Sequence, residues 1–97
     1  MGTGSTNPQE GAVRRGLWRL MLKLPAMRGR LQILGAKSAA LQDLFEAYED
    51  ASVTLERLLK EPDSDARLMI REYETICSEV ENDVIEYCLG HSPDVPK

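Results

Sequence analysis

Only one histidine, His91, stands in this chain of 97 residues, and it falls after Gly90 in a proline-bearing stretch. That scarcity excludes most routes to chemistry in a small protein. A Ser–His or Cys–His pair would need the tail to fold back over the body. The Glu-x-x-His motif of di-metal helical bundles is absent, because no glutamate precedes His91 by three residues. Cysteine is nearly as rare, with Cys77 and Cys88 only. Together with His91 they make three nominal zinc ligands. On one helix, however, these thiols would lie roughly 16 Å apart, about three turns. That is too far for one tetrahedral site, or for a disulfide whose Cα atoms lie within about 7 Å. The expectation is two reduced thiols in a cytoplasmic protein, with no metal and no cofactor.

Long apolar runs are also missing; none approaches the roughly 18 residues of a membrane span. The glycines of "GTGSTNPQEG" have no lysine after them and no strand before them, so they do not form a phosphate loop. Positive charge is scarce in the body of the chain. Residues 41–97 carry five Lys/Arg against fifteen Asp/Glu, a balance of −10 that repels nucleic acid. Residues 1–40 carry +6, leaving −4 overall. Carboxylate pairs such as Glu46/Glu49 and Glu72/Glu74 read as solvated helix faces. Arg57, Arg67 and Arg71 fall outside the apolar positions and suit surface pairs, Arg57 with Glu61 and Arg71 with Glu74. The chain reads as a non-enzymatic protein.

What is present is helical periodicity. Leu41, Leu44, Tyr48, Ala51, Leu55 and Leu58 recur at alternating steps of three and four, and so do Ala66, Ile70, Tyr73, Cys77, Val80, Val84 and Tyr87. Both series make an apolar seam of the kind used in left-handed helix pairing. Phe45 and Leu59 widen the first; Met69, Ile76 and Cys88 widen the second. Pro62 forbids continuous helix between them, and Asp63 or Ser64 is placed to cap the second. Ser38 is a candidate cap for the first, with Gly35 as a break before it. The short linker predicts an all-α fold: a long antiparallel two-helix hairpin over residues 36–90. Residues 1–12 and 91–97 are expected to be disordered.

Such a hairpin carries a stripe too wide for two helices to bury on each other. Something else must cover it, and dimerisation to a four-helix bundle is the leading expectation, with a homodimer or another helical protein as partner. The candidate interface is Leu41, Leu44, Phe45, Tyr48 and Leu55 on one helix. On the other it is Ile70, Tyr73, Cys77, Val80, Val84 and Tyr87. The tyrosine hydroxyls belong at its rim, where each finds a partner or water.

The remaining feature is "RRGLWRLMLKL", a basic amphipathic segment within residues 13–25 that ends at Pro25. Val13, Leu17, Leu20, Met21 and Leu24 share one face; Arg15, Arg19 and Lys23 line the next, with Arg14 and Trp18 nearby. Charges inside the apolar run rule out an export signal. Three readings compete. The segment docks on the hairpin, its cations meeting Glu46, Glu49, Glu72, Glu79 or Glu86, which is the reading carried forward. It anchors the protein weakly to an anionic membrane surface. Or it is an extension upstream of a natural start at Met27. The function that follows is a small helical interaction or regulatory module, with a peripheral membrane protein as the alternative.

Overall fold

A computed structural model of the chain describes residues 8–61, 63 and 65–91. Among these there are four α-helices and no strand. The helices are α1 (Pro8–Lys23), α2 (Arg28–Gly35), α3 (Ala39–Lys60) and α4 (Ala66–Gly90), with a 3-10 turn at Pro25–Met27.

The breaks follow local chemistry. Leu24 and Glu61 each precede a proline, and both leave the helical region in the same way, at φ −124°, ψ 66° and φ −122°, ψ 71°. Ser38 caps α3: its backbone is extended and its Oγ accepts from the Leu41 N–H at 3.1 Å. One turn on, the Gln42 amide reaches back and donates to the Gly35 carbonyl at 2.8 Å, satisfying an end group of α2. At the α3–α4 turn Asp63 accepts twice, through Oδ1 from the Asp65 N–H and through its carbonyl from the Ala66 N–H. Ser64 lies outside the described residues.

Two expected boundaries move. α1 begins at Pro8 rather than Val13, so residues 8–12 are helical and Ala12 is buried. Proline's fixed φ and missing N–H suit a first helical turn, and Glu10 complements the dipole there. His91, expected in a disordered tail, instead stacks on the Tyr87 ring at 4.0 Å and brings Nδ1 within 2.9 Å of the Tyr87 carbonyl. Residues 1–7 and 92–97 lie outside the described residues.

α3 and α4 pack in opposite directions. Tyr48 meets Glu81 and Ser52 meets Cys77, so four residues forward on one helix are four back on the other. Their burial is lopsided. The buried residues of α3 are Leu41, Phe45, Tyr48, Glu49, Ala51 and Ser52, and those of α4 beyond Ala66 begin at Cys77. This is the end where α1 and α2 lie. Leu20 and Met21 from α1 and Leu31 from α2 join Leu41, Phe45, Val84 and Cys88 in one core. The cover that so wide an apolar stripe demands is supplied there by the chain's own first third.

Gly16 is what lets α1 lie so close. A Cβ on it would stand 1.8 Å from the Phe45 carbonyl oxygen, so the two helix backbones touch. Gly35 faces the Phe45 ring in the same way, with a Cβ at 2.7 Å from the ring edge. Gly16→Ala is therefore expected to lower stability by about 3 kcal/mol or more, since backbone must move to admit it. Gly29, on α2, has nothing within 4 Å of such a Cβ, and Gly29→Ala should raise stability by about 0.5–1 kcal/mol. Urea denaturation of the two variants against the parent checks both.

A candidate binding groove

Past Ser52 and Cys77 the α3–α4 pair loses its cover. Leu59, Leu68, Met69 and Ile76 are exposed there. On one side the end of α1 still stands beside the pair, and this makes an open groove of about 300 Å³. Tyr48, Ser52, Leu55 and Leu59 of α3 form its floor, spaced by three and four along the helix. Arg19 and Lys23 of α1 form one wall; Glu74, Cys77, Ser78 and Glu81 of α4 form the other. Leu22, 73% exposed, lines a shallower pocket alongside, which shares Arg19, Lys23, Tyr48 and Ser52 with the groove. Trp18, one turn back on the outer side of α1, is 58% exposed, and Leu59 is 55% exposed.

Most of the charged groups around the groove pair with one another. Glu49, only 4% exposed, takes Arg15 Nε at 2.9 Å and Arg19 Nε at 2.6 Å. Arg19 also reaches Glu56 at 2.8 Å. Glu81 accepts from the Tyr48 hydroxyl at 2.5 Å and lies 3.4 Å from Lys23 Nζ. Among the described residues no buried side-chain nitrogen or oxygen lacks a partner. Of the carboxylates expected to meet the basic segment, Glu49 does so; Glu56 and Glu81 were not anticipated.

These contacts set the protonation states. Burial pushes the Glu49 carboxyl up, but the bonds from Arg19 and Arg15 outweigh it and hold the group below the usual carboxylate range. The Arg19 bond holds Glu56 down as well, and Glu56 in turn raises the Arg19 guanidinium, which stays charged. Burial, then the bond to Glu81, pushes the Tyr48 hydroxyl far up. Burial raises both Cys77 and Cys88, with a small opposing effect from Ser52 on the first and Arg30 on the second. Both thiols are free. At neutral pH the groove therefore holds a neutral phenol and a neutral thiol, neither activated as a nucleophile.

The sequence candidates divide between core and rim. Leu41, Phe45, Tyr48, Cys77, Val80 and Val84 are buried, and Leu44, Leu55, Tyr73 and Tyr87 pack partly buried against them; Ile70 is half-buried. In α1, Met21 is buried and Leu17 packs on the core, while Arg14 and Trp18 are exposed, as are Arg15 and Lys23 apart from their contacts with Glu49 and Glu81. Gly16 escaped notice, and Glu49 was one of five acids offered to the basic segment with nothing to single it out. The signal for the first was a glycine inside an amphipathic helical run; Glu49 sat one place off the seam and looked like any solvated acid. Among the described residues no cluster of three metal-ligating side chains occurs, and no helix is long and apolar enough to cross a membrane. Compared with known protein families, characterised proteins and solved structures, the chain matches none.

Glu49→Gln leaves two guanidinium groups facing a neutral amide and should cost about 2–3 kcal/mol, less than a fully buried pair because both arginines reach water. The sign of the pH effect follows from the lowered carboxyl. Its stabilisation is fully present above the pKa of an unfolded glutamate and drains away as pH falls through the lower folded value. The difference in unfolding free energy between parent and variant should therefore shrink towards low pH. Alkylation should be slow at both cysteines, slower at Cys88 than at groove-lining Cys77, and should accelerate in denaturant. Mass spectrometry of a timed iodoacetamide reaction reads this out.

Proposed function

We propose that this chain is a non-enzymatic interaction module that works in the cytoplasm and receives a helix in the groove between the end of α1 and α4. The observation that carries the proposal is the open apolar floor, Leu55 and Leu59, with exposed Leu22 lining the shallower pocket beside it. From Tyr48 to Leu59 the floor runs about 16 Å, room for some three turns of a docked helix, whose anchors would fall at i, i+3 and i+4. Tyr48, Arg19, Lys23, Glu56 and Glu81 already have partners, so the groove offers a ligand mainly apolar contact, with charges at its edges. A raised thiol and an internally bonded phenol support a binding role over a catalytic one. Two unbridged cysteines suit a reducing compartment.

The membrane-surface alternative draws on the exposure of Trp18 and Leu22. It is the weaker reading, because Arg15, Arg19 and Lys23, the cations that would meet lipid headgroups, face Glu49, Glu56 and Glu81.

A photo-crosslinking residue placed at position 22 or 59 in the living cell should give a discrete adduct. The same residue at position 79, an exposed acid of α4, should give little. Equal labelling from all three positions, or none from any, would overturn the groove as a binding surface.

A further inference from the structure

We infer that the side of the α3–α4 pair turned away from α1 is a second docking surface, and that its occupant is a basic amphipathic helix of another protein. This surface is separate from the groove, and the inference does not depend on the groove being filled.

The two sides of the pair are told apart on α4. Cys77 faces α3, its Sγ 3.9 Å from Ser52 Oγ. Successive residues of a helix point about 100° apart. Ser78, which lines the groove, and Ile76 therefore lie on opposite sides of that contact. Ile76 and Met69, two turns apart on the far side, are 38% and 43% exposed. On α3 the residue before Ser52 is Ala51, and Leu44, Ala47, Ala51 and Leu58 share its face. Leu44 and Leu58 are half-buried and Ala47 is exposed. The two stripes make a shallow apolar furrow. From Leu44 to Leu58 it runs about 20 Å, room for a docked helix of some four turns.

Charge selects the occupant. α4 carries no lysine or arginine after Arg71. Glu72 and Asp83, before and after Ile76 along the outer lip of the furrow, are exposed; Glu79 is turned further out, about 60° round from Ile76. On the α3 side, exposed Asp43 and Asp50 stand one turn to either side of Ala47. Glu72, Asp83, Asp43 and Asp50 pair with no cation among the described residues. Positive charge enters at the turn end, with Arg57 beside Leu58. An apolar furrow edged by unpaired carboxylates fits an apolar stripe flanked by lysine or arginine. The chain already contains one such fit. On the other side of α3, the basic amphipathic α1 sets Arg15 and Arg19 on Glu49, and Arg19 on Glu56. A second copy suits the furrow poorly: its Arg15, Arg19 and Lys23 are spent within it, and furrow against furrow sets acid against acid.

The probe is a fluorescent peptide of about 15 residues with leucines on one helix face and lysines on the other. Its control has glutamate in place of lysine. Titrated with the full chain and followed by anisotropy, the lysine peptide should bind with a Kd below about 100 µM. The glutamate peptide should bind about tenfold more weakly or worse. Amide NMR shifts caused by the lysine peptide should centre on Ala47, Ala51, Met69 and Ile76. Glu72→Lys and Asp83→Lys, both at exposed positions, should each weaken binding about fivefold or more with helicity unchanged. Glu74→Lys makes the same change of charge on the groove side of α4 and should alter binding by less than about twofold. Equal weakening by all three variants would reveal attraction to net charge alone and overturn the inference, as would no binding up to about 1 mM. Shifts centred on Tyr48, Leu55 and Leu59 would place the peptide in the groove, so the furrow falls and the groove reading stands. Self-association of the parent chain that Ile76→Glu abolishes would give the furrow to a second copy and overturn the occupant named here.

Discussion

A carboxylate buried at the middle of α3 holds the architecture together. Glu49 is shut away from water, and two guanidinium groups from α1 make that tolerable. Without them its ionised form would sit in a protein interior with no counter-charge; without it, two arginines of one helix would crowd together unpaired. The clamp fixes both position and direction of α1, since Arg15 and Arg19 are one turn apart and converge on one acid. Gly16 between them removes the side chain that would hold the backbones apart. Bringing α1 to rest on Phe45 buries Leu20 and Met21, and the short return through Pro25 then delivers Leu31 to the same core.

The length mismatch between the parts has a structural consequence. α3 and α4 have 22 and 25 residues, whereas α1 has 16 and α2 has 8. At one end three or four helices share the burial; at the other only two do, and a pair of helices leaves part of its apolar stripe wet. Leu59, Leu68, Met69 and Ile76 are exposed there, although Leu59, Met69 and Ile76 widen the same seams as Phe45 and Cys88, which are buried further along. The groove is the place where the shorter cover stops.

Its chemistry suits recognition. Tyr48, Glu81 and Lys23 satisfy one another, and the thiol beside them is held protonated by burial. Groups arranged so are poor reagents but good walls, because a ligand entering the groove strips little water from unpaired polar atoms.

The seams of α3 and α4, the breaks at Pro25 and Pro62, and the cap at Ser38 were all legible in the residue order, because each depends on neighbours within a turn or two. The amphipathic character of residues 13–24 was legible too, but the true start at Pro8 was not, since polar residues leave little periodic trace. Which side of each helix stays wet was beyond reach. Leu55 and Phe45 look alike in the pattern, yet one floors a groove and the other is sealed beneath Gly16 and Gly35. That difference arises only when α1 crosses α3 and ends where it does. Choosing Glu49 among fifteen acids of the C-terminal part is a matter of the same kind: periodicity ranks residues by the face they share, whereas counter-charge pairing across some 34 positions depends on how separate helices come to rest.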